Sequence, residues 1–150
     1  MKKVLVINGP NLNLLGTREP DVYGRTTLEE LMHEIIELGK EWGIKVDCFQ
    51  SNYEGAIIEK IHEARGEYLG IIINPGAYTH YSYAIRDAIA AIDIPVLEVH
   101  LTNIHNREEF RRNSVIAPAC AGQISGLDSC SYKVALYYFS LYCSQNTKRK

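Results

Sequence analysis

Residues 4–7 read VLVI and run directly into residues 8–24, NGPNLNLLGTREPDVYG. A short, wholly apolar run rich in β-branched residues is the pattern of a parallel strand buried on both faces. The stretch after it settles into no period, and loops of that length in compact domains are usually functional or disordered. Here the loop leads into a well-marked helix start. Thr27 and Glu30 form a capping box, and Leu28, Leu31, Met32, Ile35 and Leu38 follow at helical spacing until Gly43. An ordered, functional loop is therefore expected.

Outward from this strand–loop–helix unit, the same alternation repeats. KVDCF (45–49) is a second strand, and Ile57, Ile58 and Ile61 mark a helix closing at Gly66. YLGIII (68–73) is a third strand, followed by a helix striped by Ala84, Ile85, Ala88, Ile89 and Ile92. PVLEVH (95–100) and AGQISG (121–126) supply strands four and five, and Tyr132, Ala135, Leu136 and Phe139 mark a last helix. Strand–helix alternation at this spacing predicts an α/β fold: a flavodoxin-like, doubly wound five-stranded parallel sheet in three α/β/α layers. No linker or repeat divides the chain, so residues 1–150 are expected to form one domain, with a tail frayed from about residue 145.

Composition narrows the function classes. Apolar residues make up 46% and charged residues 23%, ordinary values for a globular domain. Sixteen Lys and Arg against eighteen Asp and Glu give a net charge of −2, so no general nucleic-acid surface is expected. The four cysteines, Cys48, Cys120, Cys130 and Cys143, show no zinc-ligand spacing and are expected as free thiols. The apolar run at Val4–Ile7 is too short for a signal peptide, and no stretch is long enough to span a bilayer. A cytoplasmic protein without membrane partners is the expectation.

Doubly wound sheets bind ligands at the carboxyl ends of their strands, and the unusual polar residues fall there. Glu98 and His100 lie two apart on a strand and share a face, so the carboxylate can orient the imidazole for general acid chemistry. A solvated strand end is the bland alternative. His100 and His105 match no metal motif, and nothing completes a ligand shell. Arg107 and Arg111, four apart, are expected on one face of a short helix, as an anion clamp or as a surface charge pair with Glu108 or Glu109. In NPGAYTH (74–80), Asn74 ends a strand and His80 precedes a helix, either a plain turn or a place for backbone N–H groups to face an anion. Tyr23 has Arg18 five residues back, close enough for the guanidinium to favour a phenolate. Anchoring of the loop is the other reading of Tyr23, and the local residues leave both open. A flavin-binding flavodoxin would need a hydroxyl-rich phosphate loop after strand one. A phospho-acceptor module would need Asp where Asn74 stands.

Taken together, NGPNLNLLGTREPDVYG, QSNYEG (50–55), NPGAYTHYSYAIRDAI (74–89), EVHLTNIHNREEFRRNSVIAP (98–118) and GQISGL (122–127) closely resemble the type II 3-dehydroquinate dehydratases. The match covers nearly the whole chain in order. The resemblance implies a flavodoxin-like fold and reversible dehydration of 3-dehydroquinate to 3-dehydroshikimate, without metal or organic cofactor. It implies Tyr23 as the base, Arg18 as the group lowering its pKa, and Asn11 as holder of a water that stabilises the enolate. His100 would be the acid, oriented by Glu98. Asn74 and the backbone of Leu101 and Thr102 would hold the substrate carboxylate, and His80 and Arg111 the ring hydroxyls. Arg107 would belong to a lid formed by about residues 18–25. Asp87 would reach a neighbouring subunit's site within a homododecamer of four trimers.

Overall fold

The computed structural model describes residues 2–17, 21 and 24–148, with side chains given as far as Tyr142. Five parallel strands form one sheet: β1 (Lys2–Asn8), β2 (Ile44–Gln50), β3 (Gly70–Asn74), β4 (Val96–His100) and β5 (Gly122–Ser125). Their order is β2-β1-β3-β4-β5. Helices α1 (Leu28–Glu41), α2 (Glu54–Glu63), α3 (Tyr83–Ala90) and α4 (Cys130–Lys148) cover the two faces. This is the flavodoxin-like, three-layer arrangement expected from the alternation. The last helix continues to Lys148.

Alternation along each central strand sorts side chains between two cores. Val4, Val6, Ile72, Leu97 and Val99 meet α1 and α4, including Leu31, Ile35, Leu136 and Phe139. Leu5, Ile7, Ile71 and Ile73 meet α2 and α3, including Ile57, Ile61, Ile85 and Ile89. Burial on both faces explains why the strands read as unbroken apolar runs. Local signals set the helix ends. Thr27 Oγ1 accepts from Glu30 N–H at 3.2 Å, the cap read from sequence. Ser82 Oγ accepts from Ile85 N–H at 3.0 Å and donates to Glu54 Oε2 at 2.7 Å, tying α3 to the start of α2.

The chain reverses its winding direction between β1 and β3, which creates the crevice. There the loops leaving the two strands nearly touch. Gly9 N–H donates to the Asn74 carbonyl at 2.8 Å. A Cβ on Gly9 would lie 2.5 Å from the Pro75 oxygen, and Gly76 has φ +61° with Pro10 against it. Only glycine permits this approach.

Candidate active site

The described part of the loop after β1, to Thr17, is held by Gln50 at the end of β2 and by Asn52 just beyond it. Gln50 Nε2 donates to the Gly9 carbonyl at 3.2 Å and to Asn52 Oδ1 at 3.1 Å. Asn52 Oδ1 also accepts from Asn11 N–H at 3.0 Å, while Asn11 itself sits in the left-handed region at φ 68°. Asparagine tolerates that conformation better than most residues. Tyr78 donates through its hydroxyl to the Asn52 carbonyl at 2.8 Å. It anchors the turn after β2 that carries Asn52, and it is absent from the cavity wall described next.

Between the loops after β1, β3 and β4 lies a cavity of about 280 Å³. The first loop contributes Asn11, and β3 with its turn contributes Asn74 and His80. β4 and the chain beyond it contribute His100, Leu101, Thr102, Arg107 and Arg111. Eight residues singled out from sequence thus share one wall. Glu98 lies behind them, completely buried.

Glu98 is the electrostatic centre. Its Oε2 faces His100 Nε2 at 2.7 Å and also accepts from Gln123 Nε2, and its Oε1 accepts from Ser114 Oγ at 2.8 Å. Burial alone would favour the neutral acid, but the bonds and charge from His100, then Gln123 and Ser114, outweigh it and hold the carboxyl below its ordinary range. An ionised carboxylate accepts on both oxygens, so Nε2 of His100 carries a proton toward it. Nδ1 is then the nitrogen left to act at the cavity, which His100 lines while only 7% exposed. Ser114 Oγ is in turn held by Thr79 Oγ1 at 3.0 Å and by Ala117 N–H at 3.0 Å.

His80 is set differently. Its Nδ1 pairs with the Asn113 carbonyl at 2.8 Å, which places the proton on Nδ1 and leaves Nε2 an acceptor. Burial lowers its pKa against the opposing Asn113 bond, so the ring is neutral near pH 7. Arg111 stands between the Phe110 ring, 4.7 Å from its centroid, and Glu108 Oε2, 2.5 Å from Nε. Arg111 is thus an ion-pair partner of Glu108 and also part of the wall.

A chain of this shape has close counterparts. The model of the family described as "Dehydroquinase class II" matches residues 2–140. The chain belongs to the class II dehydroquinase family. It is similar to the curated 3-dehydroquinate dehydratase of Bacillus cytotoxicus, 61% identical over 137 residues, 91% of this chain and 94% of that one. The crystal structure of type II dehydroquinase from Butyrivibrio crossotus is 54% identical, with a TM-score of 0.90 over 91% of this chain and 96% of its own. That from Propionibacterium acnes is 42% identical, with a TM-score of 0.92 over 94% and 97%.

Against the expectations, one local geometry changes. Arg107 and Arg111 do not share a helical face: Arg107 is extended, and Arg111 ends a separate 3-10 turn at Glu109–Arg111. The spacing of four carried a helical reading, but no single helix spans 107–111, and both side chains reach the cavity wall from separate local structures. Asp87 is exposed on α3 and is not part of the cavity wall of its own chain. Arg18 and Tyr23 lie outside the described residues, as does most of the expected lid over about 18–25. Among the described residues no three His, Cys, Asp or Glu side chains stand together as a metal set. None of their helices is long and apolar enough to cross a membrane. The described cysteines, Cys48, Cys120 and Cys130, are free. The Cys120 thiol is pushed up to about 12, by burial and then by Glu98, so it is protonated.

Sequence reasoning missed Ser114 and Gln123 as partners of Glu98, and Tyr132 as a polar residue beneath Asn74. The last has its hydroxyl 2.9 Å from Asn74 Nδ2 and 2.7 Å from Asn8 Oδ1. Burial raises the Tyr132 phenol well above its ordinary value, against the opposing effect of the Asn74 bond, and keeps it neutral.

Proposed function

We propose that this chain catalyses the reversible dehydration of 3-dehydroquinate to 3-dehydroshikimate, a step of the shikimate pathway, by anti elimination through an enolate. The observation that carries the reading is the buried Glu98–His100 pair at 2.7 Å behind the cavity of a class II dehydroquinase. In this mechanism Tyr23, its pKa lowered by Arg18, takes the proton α to the ketone. Negative charge moves to the ketone oxygen, where a water held by Asn11 stabilises the enolate. His100 then delivers a proton to the departing hydroxyl, which leaves as water, and Glu98 steadies the ring and the charge it carries.

Binding follows the wall. Asn74 and the backbone of Leu101 and Thr102 hold the substrate carboxylate. His80, with Nε2 as acceptor, and Arg111 contact the ring hydroxyls, and Arg107 belongs to the closing lid. The exposed position of Asp87 supports its use by a neighbouring subunit, in a dodecamer of four trimers where each site draws on two chains. No metal or organic cofactor takes part.

The deciding experiment adds 3-dehydroquinate to the purified protein and follows ultraviolet absorbance of the conjugated enone. Absorbance that rises with enzyme concentration is expected. Its absence from a folded, assembled sample would overturn the dehydratase reading.

A further inference from the structure

Directly beneath the cavity, a chain of buried polar groups crosses the sheet in one direction. Asn8 and Tyr132 are completely buried and Asn74 nearly so. Asn8 Nδ2 faces Met32 Sδ at 3.3 Å, and Asn8 Oδ1 accepts from the Tyr132 hydroxyl at 2.7 Å. That hydroxyl accepts from Asn74 Nδ2 at 2.9 Å, and Asn74 Oδ1 accepts from Gly76 N–H at 3.1 Å. A thioether can only accept and a backbone N–H can only donate, so both ends fix the polarity of the whole chain. Turning the Asn74 amide over would set NH₂ against Gly76 N–H. It would also draw the Tyr132 proton away from Asn8 Oδ1, stranding a buried acceptor.

We propose that Tyr132 is a positioning residue for substrate binding: its hydroxyl fixes the Asn74 amide so that the remaining Nδ2–H is kept for an anionic group in the cavity. The inference rests on the proposed use of Asn74 to hold the substrate carboxylate. Asn74 Nδ2 carries two protons, one is given to Tyr132, and the residue lines the cavity. Without the hydroxyl, Gly76 N–H is the one restraint left on the amide among the described residues, and the donor spends part of its time turned away.

The test is a double-mutant cycle read as KM and kcat separately. Tyr132→Phe is expected to raise KM for 3-dehydroquinate about five- to tenfold, the value of one lost hydrogen bond, with kcat within about threefold. In an Asn74→Ala background the same change is expected to move KM less than about twofold, because the group it positions is gone. Equal factors in both backgrounds, or an unchanged KM in the single variant, would overturn the proposal. Asn8→Ala keeps the phenol in the core and frees its proton to turn toward Asn74, so the same pattern must appear there if Tyr132→Phe does not fold. The amide is also visible without turnover. Its NH₂ signals, assigned by their loss in Asn74→Ala, should exchange slowly in the parent and about tenfold faster in Tyr132→Phe. A parent protein inactive on 3-dehydroquinate would sink the dehydratase reading alone, while unchanged exchange would sink this one.

Discussion

Two buried polar clusters stand at the ends of adjacent strands, and they are built on opposite principles. At the end of β4, Glu98 gathers His100, Ser114 and Gln123 around an ionised carboxylate. At the end of β3, Asn74, Tyr132 and Asn8 form a neutral chain of fixed direction. A buried charge is tolerated only with several donors and responds to protons and to loss of a partner. A neutral chain costs less to bury and responds mainly to geometry. The first suits moving a proton, the second suits holding a group still. Under the proposed mechanism, one sheet edge would separate chemistry from binding.

The largest effect should come from breaking the charged cluster at its reactive end. His100→Ala is expected to lower kcat about 10³-fold, roughly 4 kcal/mol of barrier. Exchange of the α proton in heavy water should survive in part, since Tyr23 acts before His100 in the proposed order. If exchange and elimination disappear together, His100 is not only the late acid. The counterpart at the neutral cluster, Asn74→Ala, should raise KM while leaving kcat nearer the parent value.

The second prediction separates the clusters by acid. Glu98 has a lowered pKa in the folded state, so its ionisation contributes stability above its unfolded value near 4.5 and loses it as pH falls through that value toward the lowered folded one. Glu98→Gln should therefore flatten the part of the acid unfolding curve below about pH 4.5, by denaturant titration at a series of pH values. Tyr132→Phe should lower stability by about 1–3 kcal/mol, for a donor and an acceptor left unpaired, with no change in the shape of the pH dependence. An unflattened curve in Glu98→Gln would mean that other carboxylates control acid unfolding.

The two clusters were unequally visible in the sequence. Glu98 and His100 are legible because strand periodicity alone puts them on one face. Ser114 and Gln123 reach Glu98 from 16 and 25 residues away, through a loop and an edge strand, and no local pattern encodes that. Tyr132 reads as one more member of an apolar helical stripe, and its ring does pack in the core. Only its hydroxyl, meeting Asn8 from 124 residues away, has a second purpose. The fold was more legible than the site, since its burial pattern is written into each strand and helix separately. The helical reading of the arginine pair failed for a related reason: spacing of four means one face only where one helix carries both residues, and none spans 107–111.

The smallest expected effect belongs to His80, which lies on the same cavity wall as both clusters and shares the logic of each. Like the neutral chain it is oriented by a bond between uncharged groups, Nδ1 to the Asn113 carbonyl, and like Glu98 it is a titrating group. Its pKa is lowered in the folded protein, chiefly by burial, with His100 and Arg111 adding in the same direction. The unfolded chain therefore takes up a proton at His80 before the folded protein does. Stability should decline as pH falls from about 6.5 toward the lowered folded value, and His80 should add no further loss below it. The ring is partly exposed, so the change should stay under about 1 kcal/mol. His80→Gln removes the titration, and its stability between pH 7 and pH 5 should be flatter than the parent's by about that amount. A parallel pair of curves would show that His80 is as easily protonated folded as unfolded. Its Nε2 would then be a donor in the acid range, and its proposed place as acceptor for a substrate hydroxyl would hold only above it.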